Sequence, residues 1–305
     1  MKIMKSCICI MSYGLRYHKL LERVINLTDK YDVYVFVSLN DKKINDYQKL
    51  FNDTKVNIRI VDTKSAAEKR NECVKFMKEN ADIYSYGFII EDDVDIICEK
   101  ITPESKRTTS DSYRSIKTDI EELLDVMISR TIEYHGAICG ALCLPYLGFS
   151  KPGLTCVNKS IYIGQLTLYD CRFLRDNDIN VITDKEITDD LLLGLDILMH
   201  GGISVSIRDY RFLMIDSRGN NSIEHSEDEH AREMNRIRSS RLYNIPLRIS
   251  SDGIIMHKIR YENYHTNELP KLKNKEKYDV LYEMLDNGSS YDELKNYIIT
   301  EILKK

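Results

Sequence analysis

The chain has 305 residues, 43% of them hydrophobic and 30% charged, and 48 acidic against 44 basic groups leave a net charge of -4. That length buries a core of one large domain or two modest ones, and the composition excludes a mainly disordered chain. Near-balanced charge excludes attachment to nucleic acid by bulk charge, though not a local basic patch.

In chain order, SCICIM (6–11) reads as a buried strand and RYHKLLERVINLTDK (16–30) as a helix with apolar residues at helical spacing. DVYVFVSL (32–39) is a strand, INDYQKLF (44–51) a helix, NIRIVD (57–62) a strand and SAAEKRNECVKFMKENA (65–81) a helix; YGFIIEDDVDI (86–96) reads as one continuous strand. Residues 102–118 read as a polar surface loop. A helix over 120–134, strands over 137–147 and 160–170, a helix over 189–202 closed by Gly201-Gly202 and a strand over 203–215 follow. A polar loop (216–230), an Arg-bearing helix (229–243) and helices in the tail (276–286 and 290–305) complete the chain. Strands alternating with helices predict an α/β fold with a mostly parallel sheet flanked by helices. One domain is expected over 1–266, with the C-terminal helices of 267–305 packed on it.

The eight cysteines are Cys7, Cys9, Cys73, Cys98, Cys139, Cys143, Cys156 and Cys171, several of them inside apolar runs. With no secretory signal, they read as buried reduced thiols of a cytoplasmic protein. Cys139 and Cys143 lack the second Cys/His pair of a zinc site. No apolar run reaches the roughly 18 residues a membrane span needs.

FIIEDDVDI carries Glu91, Asp92, Asp93 and Asp95 at its carboxyl end. Clustered carboxylates repel one another, and a divalent cation with a preference for hard oxygen ligands, Mg²⁺ or Mn²⁺, relieves that repulsion. A solvated acidic turn is the plainer alternative.

The stretch KSAAEKRNECVKFMKENADIYSYGFIIEDDV resembles the approach to the DXD motif of GT-A glycosyltransferases, where an Arg-Asn pair on a helix precedes the acidic strand end. The resemblance implies a GT-A fold, Rossmann-like, with a C-terminal helical extension. It further implies that Arg70, Asn71 and Asp92 hold the nucleotide-sugar donor, a UDP-sugar first of all. Asp93, with Asp95 or Asp92, would bind the metal. SYGLRYHKL is similar to a nucleotide-contacting turn of the same family and puts Arg16 near the nucleotide, unless Arg16 is simply a solvated helix start. In EITDDLLLGLDILMHGG, Asp189 and Asp190 match the position of the general base that deprotonates an acceptor hydroxyl, although as first-turn carboxylates they also fit helix capping. Where many members carry a histidine ligand this chain has Asp216, with His225 and His257 as fallbacks.

The DSRGNNS segment narrows the resemblance to a branch found in phages and beside TET-type base oxygenases, which implies a hydroxylated base in DNA as acceptor and, for a viral chain, the host cytoplasm. A saccharide or protein hydroxyl is the alternative acceptor. A nucleotidyltransferase or a non-catalytic binding protein on a similar sheet is the alternative function, though the single glycine of SYGLRY is poor for the former. Residues 230–260 carry seven basic residues (Arg232, Arg236, Arg238, Arg241, Arg248, Lys258 and Arg260) against Glu233 and Asp252. Such a patch fits DNA phosphates, a donor diphosphate or a solvated helix face.

Overall fold

A computed structural model describes residues 5–15, 18–101, 115–143, 155–158, 164–183, 189–214, 229–265 and 268–304. The first half alternates as expected. Strands β1 (Lys5–Ser12), β2 (Asp32–Ser38), β3 (Asn57–Val61) and β4 (Tyr84–Glu91) are separated by helices α1 (His18–Val24), α2 (Ile44–Leu50) and α3 (Ala66–Glu79). The helix expected from 16 to 30 tightens after α1 into a 3₁₀ turn, Ile25–Asp29.

The expected strand over 86–96 is broken. β4 ends at Glu91, Asp92 and Asp93 form a turn, and β5 (Val94–Ile101) leaves in another direction. β5 pairs antiparallel with β6 (Ser115–Asp119), so the end of the expected 102–118 loop is an edge strand, while 102–114 lie outside the described residues. Next come α4 (Ile120–Glu133), β7 (Ile138–Cys143), the two-residue β8 (Cys156–Val157), β9 (Leu166–Asp170), α5 (Cys171–Asp176), α6 (Asp189–Met199) and β10 (Ser204–Met214). The C-terminal part holds α7 (Glu229–Leu242), a small hairpin of β11 (Leu247–Ile249) and β12 (Ile255–His257), α8 (Lys275–Asp286) and α9 (Tyr291–Tyr297), with a π turn over Ile298–Ile302.

The main sheet runs β3-β2-β1-β4-β9-β7-β10-β5-β6, with β8 beside β10. β3, β2, β1 and β4 are parallel. β9 opposes both β4 and β7, so β7 and its parallel neighbour β10 point the same way as β4. Both faces are covered, and side-chain alternation divides β1 between them. Ile8 and Ile10 pack with Leu20 and Leu21 of α1, Tyr47 of α2 and Leu123 and Met127 of α4. Cys7, Cys9 and Met11 face Cys73, Val74 and Met77 of α3, Leu174 of α5 and Leu192, Leu195 and Leu198 of α6. Cys7, Cys9, Cys73, Cys98, Cys139 and Cys171 are buried packing residues.

α3 sits close to the sheet because Gly87 of β4 lacks a side chain: a Cβ there would meet the Met77 sulfur at 2.7 Å. Its start is fixed by Ser65, whose hydroxyl accepts the Glu68 amide at 3.1 Å. A third apolar cluster joins Ile237 of α7, Leu247 and Ile255 of the hairpin, Tyr278, Leu281 and Tyr282 of α8, and Leu294 and Ile298 of the last turns. The tail helices therefore share a core with α7 and the hairpin. Among the described residues, no helix is long and apolar enough to cross a membrane.

Candidate functional site

The chain leaves β1 towards β2 and β3 on one side and later returns to add β4 on the other. Where strand order reverses in an open sheet of this kind, flanking helices diverge and leave a crevice at the carboxyl ends of the two central strands. β1 ends there at Ser12 and β4 at Glu91. The acidic strand end thus falls at the switch point of the sheet.

A tight network builds the floor of this crevice. The Ser12 hydroxyl donates to Asp92 Oδ2, the Tyr13 amide donates to the same oxygen at 3.1 Å, and the Asp92 amide bonds the Met11 carbonyl at 3.2 Å. The turn after β1 has Gly14 and Leu15 in the left-handed region, φ 66° and 50°. Glycine takes this conformation freely, whereas leucine needs support. Support comes from Tyr47, whose hydroxyl accepts the Leu15 amide at 2.8 Å and bonds Ser12 Oγ at 2.7 Å. Asp41 follows β2 and is buried; it accepts the Gly14 amide at 2.7 Å and the Lys43 amide at 2.8 Å. Tyr47→Phe is therefore expected to cost about 1 kcal/mol, since Leu15 N–H loses its acceptor in a partly buried setting; urea unfolding of the variant checks it.

Two consecutive cations of α3 reach this floor. Arg70, only 4% exposed, bonds Glu91 Oε1 through a terminal guanidinium nitrogen at 2.7 Å. Lys69, 6% exposed, donates to the Ser12 carbonyl at 2.6 Å, and its ammonium lies 5.7 Å from the Tyr13 ring centroid. Burial pushes the Lys69 pKa below its ordinary value, while the charges of Asp92 and Asp41 oppose that shift. Burial also raises the Tyr47 phenol, further helped by Asp92 and Asp41. Tyr13 and Leu39 stand out on the rim, 43% and 56% exposed.

Of the residues expected from sequence, Arg70, Asp92 and the turn residue Asp93 come together here. The Asn71 side-chain oxygen accepts the Val181 amide at 3.1 Å and ties α3 to the segment before α6. Asp95 lies on β5 and accepts the Ile97 amide at 3.3 Å. Arg16, Asp216 and His225 lie outside the described residues. The register pairs Met214 with Val94, however, so the carboxyl end of β10 arrives beside the acidic turn. His257 sits in the C-terminal hairpin, its Nε2 2.8 Å from the Arg236 carbonyl, and burial lowers its pKa to about 4.

α6 begins at Asp189, whose side chain is outside the described part, and Asp190 Oδ1 accepts the Leu191 amide at 2.6 Å. α6 leads through Gly201, φ 81°, into β10, which is parallel to β4. A helix feeding a parallel strand runs against it, so the first residues of α6 lie at the carboxyl edge of the sheet. α6 and α3 pack on the same face.

Carboxylates are the hard donors a divalent ion takes. Among the described residues no three His, Cys, Asp or Glu side chains converge to hold one. Sequence reasoning missed Ser12, Asp41, Tyr47 and Lys69. For Lys69 a signal existed: it stands four residues before Cys73 and seven before Phe76, on the apolar side of its own helix. Part of the basic stretch 230–260 is built into packing. Arg236 donates to the Ile255 carbonyl at 3.0 Å, Arg241 pairs with Asp286 at 2.8 Å, and buried Glu233 accepts the Ile255 amide at 2.5 Å. Arg248, Lys258 and Arg260 are exposed.

No protein-family model matches the chain, and no curated protein matches it. Solved structures resembling it include S. aureus TarS 1-349 in complex with UDP-GlcNAc, at 14% identity over 76% of this chain and 71% of that one, TM-score 0.47. A second is a putative nucleotide-diphospho-sugar transferase from Desulfovibrio desulfuricans G20, at 9% identity over 77% and 95%, TM-score 0.43. A third is GalNAc-T7 with UDP, GalNAc and Mn²⁺, at 9% identity over 99% and 57%, TM-score 0.44. Scores below 0.5 at such identities assign no family.

Proposed function

We propose that this protein is a glycosyltransferase of the GT-A type, which moves a sugar from a nucleotide-sugar, a UDP-sugar first of all, to a hydroxyl acceptor. The observation that carries this reading is the Glu91–Asp93 turn at the switch point of the sheet, underlaid by Lys69 and Arg70. The Tyr13 ring and Leu39 offer apolar surface to the base on the rim. Arg70 helps to balance the diphosphate, with Asp92 keeping the end of β1 in place beside it. Mn²⁺ or Mg²⁺, held by Asp93 with Asp216 beyond β10, would neutralise charge on the leaving diphosphate.

In the transfer step, the Asp190 carboxylate takes the proton of the acceptor hydroxyl, with Asp189 as the alternative base. The oxygen forms a bond to the anomeric carbon as the bond from that carbon to the diphosphate breaks, and the nucleoside diphosphate leaves with the electron pair. A base so placed suits direct displacement with inversion. For the acceptor we favour a hydroxylated base in DNA, supported by the exposed Arg248, Lys258 and Arg260, which could meet phosphates.

A thermal-shift screen of UDP- and GDP-sugars with Mn²⁺ tests the donor. A ligand at 100 times its Kd stabilises the folded chain by about 2.7 kcal/mol, so the matching sugar nucleotide is expected to raise Tm by several degrees. No shift with any sugar nucleotide would sink the reading, and turnover of a nucleoside triphosphate with a sugar phosphate would replace it by nucleotidyl transfer. Incubation of the identified donor with plain and hydroxymethylated DNA tests the acceptor, with sugar expected on the hydroxymethylated DNA alone.

A further inference from the structure

We propose that Lys69 is a cation built into the floor of the crevice: a positioning residue that holds the Ser12–Gly14 turn and the Asp92 carboxylate in place before any divalent ion arrives. Three observations converge on it. Lysine is rarely buried unless paired, yet Lys69 is 6% exposed. Its ammonium donates at 2.6 Å to the carbonyl of Ser12, the residue whose hydroxyl and following amide both bind Asp92 Oδ2. The next amide, Gly14, grips Asp41 at 2.7 Å, so two carboxylates share one three-residue turn and Lys69 is anchored on that turn. Two acids so close repel one another and would push the turn open unless a positive charge lies beside them. The Tyr13 ring adds a cation–π contact at 5.7 Å.

Arg70, the next residue, pairs with Glu91, the neighbouring acid of the strand end. The two neighbouring cations of α3 thus both reach the acidic strand end. A divalent ion at the turn would meet carboxylates already ordered and partly neutralised. Lys69 would thus make the crevice ready for the diphosphate at the expense of affinity for the bare ion.

Thermal unfolding of Lys69→Met, Asp92→Asn and the double variant, each in EDTA and in millimolar Mg²⁺, tests this. EDTA is expected to leave the Tm of the unaltered protein in place. Lys69→Met should lose about 4 °C or more in EDTA and regain at least half of that in Mg²⁺, since an ion that binds only the folded chain stabilises it. The double variant should lose clearly less than the two single losses added, because removing both charges removes the conflict. Lys69→Arg should stay near the unaltered protein. Additive losses, or a Lys69→Met loss untouched by Mg²⁺, would overturn the proposal. If Lys69→Met does not fold, the double variant decides: recovery supports the charge pairing and failure of both overturns it. These readouts need neither donor nor acceptor, so they are independent of the glycosyltransferase reading.

Discussion

Asp190→Asn is expected to lower sugar transfer by roughly 10²- to 10⁴-fold, the usual worth of a positioned general base, while leaving donor affinity within about twofold. The amide keeps the size of the side chain and an oxygen that can accept the Leu191 amide, so the start of α6 should hold. Only the capacity to take a proton is lost. Steady-state kinetics checks this as a fall in kcat at nearly constant KM for the donor, with calorimetry of donor binding alongside. Asp189→Asn in parallel assigns the role: whichever variant loses turnover marks the base. If both retain full transfer, the base lies elsewhere. If both lose donor binding, the two acids act on the donor instead of the acceptor.

Arg70→Met is expected to lower both stability and donor binding. The guanidinium is 5% exposed and Glu91 27% exposed, so removing Arg70 takes a close counter-charge from a partly buried carboxylate. Breaking a buried pair costs about 3–5 kcal/mol, and the partial exposure of Glu91 puts the expected loss near the lower end, about 3 kcal/mol. Urea or thermal unfolding measures it. Donor affinity should fall as well, because the charge that balances a diphosphate disappears together with the contact. Arg70→Met/Glu91→Leu separates the two effects. Stability should largely return when both charges go, whereas donor binding should not. Full recovery of donor binding in the double variant would show that Arg70 serves the fold alone.

The alternating pattern of the first hundred residues was legible because strand and helix have different periods. Ile8 and Ile10 alternate with Cys7 and Cys9 at the period of two, and Arg70, Cys73, Val74 and Met77 recur at the period of a helix. The break at Asp92-Asp93 was not legible. FIIEDDVDI continues as an apolar run on both sides of the acids, so composition alone reads one strand. What ends β4 is pairing: its residues are claimed by β1 and β9, while β5 finds β10 and β6. The hairpin of β11 and β12 escaped because three-residue strands are too short to display a period, although Ser250 to Gly253 between them carries a turn signal, realised by Gly253 at φ 80°.

By itself the sequence determined the α/β class, the acidic strand end and the Arg70-Asn71 pair that precedes it, since each is a local pattern of residue types. Tertiary structure decided which of those residues share a site. Asn71 follows Arg70 directly, yet one helical residue turns the side chain by about 100°, enough to send it to Val181 while Arg70 reaches Glu91. Asp95 is two residues from Asp93, but the turn carries it onto a different strand. Ser12, Asp41 and Lys69 are separated by tens of residues, and nothing local in the sequence joins them. They become one floor because parallel β1, β2 and β4 end at the same edge, and only the sheet brings that edge together.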